Sequence, residues 1–92
     1  LEIYYWKDHQ QREVDFVVKN GKKVAQLLQV CYDPSDTATR EREVRSLVRA
    51  SDELRCGNLT VITWDHEGKE AIGKKKIKFI PLWKWLLAFD AG

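Results

Sequence analysis

Methionine is absent from the chain, so Leu1 is not read as a natural start. The strand-like segment Ile3-Tyr4-Tyr5-Trp6 follows almost at once, and the chain is expected to be the excised or truncated end of a longer protein. No apolar run approaches the ~20 residues that span a bilayer, and no signal peptide is recognisable. Membrane association is therefore not expected, and a cytoplasmic location is. Cysteine is scarce: Cys31 and Cys56 stand far apart, with no Cys-x-x-Cys or Cys/His spacing. That excludes a structural zinc site and suggests two reduced, buried thiols in a reducing compartment. A glycine-rich phosphate loop is missing too, so ATP hydrolysis would have to reside in sequence outside this chain. His9 and His66 lie in charged, turn-like segments without a nucleophile or ligand partner and read as surface histidines. The formal net charge is only +2, too small to argue for nucleic acid unless its distribution does so.

What is present describes one small folded domain. The 92 residues are 43% hydrophobic and 33% charged, a composition of ordered globular chains. Alternation predicts strands over about Ile3 to Lys7, Glu13 to Lys19 and Lys23 to Tyr32. Asn20-Gly21 is the hairpin signal between the second and third, since both residue types tolerate positive φ. Asp33-Pro34-Ser35-Asp36 ends the third strand and offers acceptors to cap a helix.

The helix is expected from Thr37 to Cys56, with Val44, Leu47, Val48 and Leu54 on one face and Gly57-Asn58 as its stop. The β-branched run Leu59 to Trp64 predicts a fourth strand. Asp65 to Lys75 reads as a charged loop, Ile77 to Leu82 as a fifth strand, and Trp83 to Leu87 as a short amphipathic helical turn. The expected fold is α/β: a small mixed sheet of about five strands in the order βββαββ, one main helix and a short C-terminal helix.

One residue needs a particular explanation. Asp15 sits in mid-strand between Val14 and Phe16, where a carboxylate is costly to bury without a partner or a cation. Strand alternation puts Glu13 and Asp15 on one face of the second strand, and Gln29, Cys31 and Asp33 on one face of the third.

The succession of elements resembles the PD-(D/E)XK, or restriction-endonuclease-like, nuclease superfamily. There a helix precedes three antiparallel strands and a second helix crosses to a fourth. The wording goes further. Tyr5-Trp6, Glu13-Val14-Asp15-Phe16-Val17-Val18, Gln29-Val30-Cys31-Tyr32-Asp33, Arg40-Glu41-Arg42-Glu43 and Pro81-Leu82-Trp83-Lys84-Trp85-Leu86 together look like the C-terminal domain of archaeal-type P-loop ATPases. The resemblance covers nearly the whole chain.

Active members of the superfamily surround magnesium with an aspartate on the second core strand and a Glu-x-Lys pair on the third. The carboxylates are hard oxygen ligands, the metal activates water, and the lysine orients the nucleophile. Asp15 matches the first position, Gln29 stands for the glutamate and Cys31 for the lysine. An amide adds no negative charge, and a thiol carries no positive charge at neutral pH. Glu13 and Asp33 are supporting carboxylates at other spacings.

The resemblance thus implies a catalytically silent nuclease-like accessory domain of a P-loop ATPase, with no cofactor, acting in contact with DNA or with protein. One alternative is a surviving magnesium-dependent DNA endonuclease, with Asp15 and Gln29 as metal ligands. Another is a structural dimerisation domain using the strand-one aromatics and the Trp83 to Leu87 terminus.

Three further groups carry two readings each. Arg42, Arg45 and Arg49 form a helix stripe that suits phosphate but reads better as a solvated face paired through Glu41–Arg45 and Arg49–Glu53. Arg40, nearer the apolar edge, is expected to pair with Asp33 or Asp15 and neutralise the vestigial site. Lys74, Lys75, Lys76 and Lys78 form the densest basic run, a nucleic-acid contact or the protection of a sheet edge. Trp64 is expected in the core, and only one of Trp83 and Trp85 can face inward.

Overall fold

In the computed structural model, which describes residues 2–8 and 13–91, six strands form one sheet between two helices. The elements are β1 (Glu2–Lys7), β2 (Glu13–Asn20), β3 (Lys23–Val30), α1 (Thr37–Leu54), β4 (Leu59–Thr63), β5 (Gly68–Ile72), β6 (Lys75–Pro81) and α2 (Leu82–Ala91). Of the turn expected at Asp8-His9-Gln10-Gln11, His9, Gln10 and Gln11 lie outside the described residues, as do Leu1, Arg12 and Gly92.

The sheet runs β1-β2-β3-β4-β6-β5. β1, β2 and β3 are antiparallel neighbours, β3–β4 and β4–β6 are parallel, and β5 returns antiparallel on β6. The α/β class is as expected, but the strand order is not. Gly68–Ile72, read in the sequence as loop, is a sixth strand at the sheet edge. Its composition, Gly-Lys-Glu-Ala-Ile, has little β propensity. It is a strand because Gly73, at φ +61, closes a two-residue turn that folds it back onto β6.

The β2–β3 hairpin is also tighter than its Asn-Gly signal implies. Asn20 remains in the ladder opposite Lys23, and Gly21 alone takes positive φ, at +67.

α1 covers one side of the sheet. Val44, Leu47 and Ala50 pack on Val14, Val17, Leu27, Val61, Ile77 and Phe79. The helix stops two residues before its expected end: Arg55 adopts the left-handed conformation at φ 54, and Cys56 turns inward. Ser51 secures that turn, its carbonyl taking the Cys56 N–H at 3.2 Å and its hydroxyl donating to the Cys56 carbonyl at 2.6 Å. On the other side Leu28, Ile62 and Ile80 form a smaller cluster under Trp85 of α2. α2 is longer than the expected turn, and Trp83 faces solvent.

Trp64 is 58% exposed rather than in the core, because β4 ends one residue earlier. Its ring stacks on Tyr32, with centroids 5.8 Å apart. Among the described residues, no helix is long and apolar enough to cross a membrane.

Candidate functional site

β1 and β2 fall out of simple register. Tyr4 opposes Val17 and Trp6 opposes Val14, so Asp15 and Phe16 together face Tyr5. This bulge lets Val14 and Val17, three residues apart, both enter the core under α1. It also detaches β2 from its other neighbour, since the backbone ladder with β3 stops at Phe16–Leu28.

Beyond that point side chains replace the ladder. The Asp15 N–H donates to Gln29 Oε1 at 2.8 Å, and Gln29 Nε2 donates to the Glu13 carbonyl at 2.9 Å. In return the Val30 N–H donates to Asp15 Oδ2 at 2.9 Å. An amide side chain presents the same donor and acceptor as a peptide, so Gln29 fills the gap as a backbone surrogate. Its burial, with 2% of its surface exposed, is tolerable because both ends are bonded.

Asp15 and Gln29 are therefore brought together, and Cys31 follows two residues on, buried and free. Burial pushes its thiol up from the ordinary value, with Glu43, Asp33 and Asp36 adding to the effect and Arg42 opposing it. The cluster gains a member that the sequence reading passed over. Glu43 projects from α1 and accepts a hydrogen bond from Gln29; burial first, then the Asp15 charge, raises its carboxyl, while Arg42 lowers it. The signal for Glu43 was its place in the helix, one residue before the buried Val44. Glu13 lies at the rim, 3.8 Å from Lys7, and accepts a hydrogen bond from the Tyr5 hydroxyl, which raises the tyrosine.

Two expected members lie elsewhere. Asp33 accepts the Ser35 N–H at 3.0 Å in a local turn, and hydrogen bonding from the Ser35 side chain first, then from that N–H, lowers its carboxyl. Arg40 does not neutralise the cluster. It pairs with Glu70 of β5 and rests over the Phe79 ring, 5.3 Å from its centroid. The partner was hidden because β5 was read as a loop. A groove of about 260 Å³ lies beside this pair, lined by Val44, Val48 and Ile72 among others.

The other basic candidates divide. Arg42, Arg45 and Arg49 each lie within 3.8 Å of an acid: Glu43, Glu41 and Asp8 respectively. The expected Arg49–Glu53 pair is thus replaced by a contact to the end of β1. Lys75 is anchored to α1, through Asp52 at 2.8 Å and the Ser51 hydroxyl at 2.9 Å. Lys74, Lys76 and Lys78 are in no ion pair among the described residues.

The donor set around Asp15 does not fit magnesium. Asp15 Oδ2 and Gln29 Oε1 are already engaged by backbone N–H groups. Among the described residues, no group of three or more His, Cys, Asp or Glu is placed to hold a metal ion. The arrangement can seal a strand end and hold acids close together, and its neighbouring cation, Arg42, is already paired with Glu43 at 3.8 Å. No curated protein and no solved structure matches the chain. Residues 1–85 match a family model described as a domain of unknown function, DUF4143.

Proposed function

Because the chain belongs to the DUF4143 family, a domain found in ATPase-associated proteins, we propose that it is a catalytically silent, restriction-endonuclease-like accessory domain of an archaeal-type P-loop ATPase. Its work is contact, with DNA or with protein, rather than hydrolysis.

One observation carries this reading. The amide at the position of the catalytic glutamate is consumed as backbone, holding Asp15 N–H and the Glu13 carbonyl. A group so used cannot leave to ligate a metal without orphaning two peptide groups, each worth about 1–3 kcal/mol when left unsatisfied. Three antiparallel strands followed by a crossover helix to a parallel fourth support the superfamily resemblance. Cys31, Glu43 and Asp15 supply no ammonium to stabilise a pentavalent phosphorus.

The test is incubation of the full-length protein with plasmid DNA in magnesium or manganese. No nicking above that of Asp15→Ala is expected, even at high protein concentration. Metal-dependent nicking that disappears in Asp15→Ala would establish the endonuclease alternative instead.

A second reading, a dimerisation domain, is favoured by Trp83, Leu86 and Leu87, which lie exposed on α2, and by exposed Tyr4 and Tyr5 on β1. Light scattering separates it: a stable dimer that ignores DNA belongs to this second reading.

A further inference from the structure

The β5–β6 hairpin carries a cationic row that its fold does not use. Ile77 and Phe79 of β6 point into the core under α1, so Lys76 and Lys78, alternating with them, leave the opposite side of the sheet. Lys69 of β5 is the register partner of Lys78, and cross-strand partners share a face. Lys74 sits at the tip, in the turn after Gly73.

Two like charges directly opposite one another destabilise a strand pair, yet none of these four lysines has an acidic partner among the described residues. Glu70, the acid within β5, is drawn to the other face by Arg40.

Edge protection can account for Lys69, which stands on the edge strand β5, but not for Lys76 and Lys78. Lysine guards a sheet by standing on its outermost strand, whereas β6 lies between β4 and β5. Lys76 and Lys78 are therefore interior-strand lysines on an open face. Beside Lys78 the floor is polar: it adjoins Thr60 of β4, whose hydroxyl receives a 3.2 Å bond from Gln26 of β3, before the face gives way to the apolar Leu28, Ile62 and Ile80. Such a floor suits sugar and phosphate contacts better than insertion among acyl chains.

We propose that this face binds the phosphate backbone of nucleic acid through Lys69, Lys76 and Lys78, with Lys74 at the rim, irrespective of base sequence. The proposal gives the contact role above a place and a partner, and rests on that reading for the claim that the domain works by contact. The surface is separate from the Asp15–Gln29 cluster, which lies on β2 and β3, beyond β4. It is also separate from the α1 arginines, which have acidic neighbours of their own.

The experiment compares the full-length protein with a Lys69→Gln, Lys76→Gln, Lys78→Gln triple variant, and with an Arg42→Gln, Arg45→Gln, Arg49→Gln control. Fluorescently labelled single- and double-stranded DNA of random sequence are titrated at several salt concentrations. Affinity should fall steeply with salt, and the logarithmic slope should shrink by about 2 to 3 in the lysine variant, since each lost phosphate contact removes roughly 0.7 to 0.9. Binding of that variant at low salt should weaken at least tenfold, while its melting temperature holds or rises as the lysine repulsion is relieved. The arginine control should bind nearly as the parent does.

Binding lost in the arginine variant but kept in the lysine variant overturns the proposal. So does absence of DNA binding, or attachment to phosphatidylserine vesicles or polyglutamate in its place. Cleavage products in the same samples would overturn the silent-domain reading while leaving the location of the contact intact.

Discussion

The side-chain amide of Gln29 occupies the place of a peptide unit beside Asp15, accepting its N–H at 2.8 Å where the β2–β3 ladder has ended. The same amide donates to the Glu13 carbonyl. Gln29→Ala should therefore cost about 2–3 kcal/mol, the combined penalty of orphaning groups in a buried setting. Denaturant titration measures it, and a cost within ±0.5 kcal/mol of zero would show that the splice carries no stability. Gln29→Glu can still accept from Asp15 but cannot donate to Glu13, and it adds an acid to three others. It should be more damaging at pH 7 than at pH 4.

Lysine is a poor replacement for Cys31. The cysteine side chain is buried, 3% exposed, among apolar residues under α1. Cys31→Lys should cost several kcal/mol or unfold the domain, since the long side chain overpacks a site built for a thiol and its ammonium is dehydrated there despite the nearby Glu43, Asp33 and Asp36. The native thiol, raised by burial, should react with iodoacetamide at neutral pH more slowly than a free cysteine. Rapid labelling of folded protein would contradict that burial.

Glu43 provides a pH test. Burial and the nearby Asp15 charge raise its carboxyl, so the folded chain holds this proton more tightly than the unfolded chain does. The stability from this group is complete below its unfolded value of roughly 4.3 and is lost as pH rises through the raised folded value. Glu43→Gln should consequently be more stable than the parent at pH 7 and lose that advantage near pH 4. Chemical denaturation at the two pH values decides it, and a variant weaker at pH 7 overturns the assignment.

Arg40 ties α1 to the last-added strand through Glu70 and the Phe79 ring. Both charged side chains are about a third exposed, so solvent screening keeps the effect modest. Arg40→Ala should cost about 1 kcal/mol, and a double-mutant cycle with Glu70→Ala should give a coupling below about 1 kcal/mol. Asp33→Asn should show no coupling to Arg40. A significant coupling there would restore the pairing expected from sequence.

Leu47 is fully buried at the centre of the α1 face. Leu47→Ala should lose about 2–5 kcal/mol, a large part of the stability of so small a domain. Thermal melting reports it directly, and a melting temperature unchanged from the parent would place Leu47 outside the core.

Local pattern was enough for the strands that bear it. Val14, Val17, Leu27 and Val61 alternate or cluster as buried strands do, and Val44 and Leu47 mark the inner face of α1. The closeness of Asp15 and Gln29 was expected only through the resemblance that set them at one site. What the pair does was not legible. The bulge at Asp15–Phe16 depends on how β1 registers against β2, and no local signal reports it.

β5 escaped notice because its residues have no strand preference of their own, and the partner of Arg40 escaped with it. Trp64 looked internal because an apolar run leads up to it, but the run ends one residue before it. Glu43 was overlooked because a charged helix residue reads as solvated until its neighbours in space are known.

The sequence by itself determined the α/β class, the helix and the β2–β3 hairpin, since these follow from local residue chemistry and periodicity. Only the tertiary structure decided that Gln29 serves as backbone, that Glu43 joins the acids, and that β6 is an interior strand with uncompensated lysines on its open face. Each of those depends on which strands lie side by side, and non-local hydrogen bonding and packing set that order.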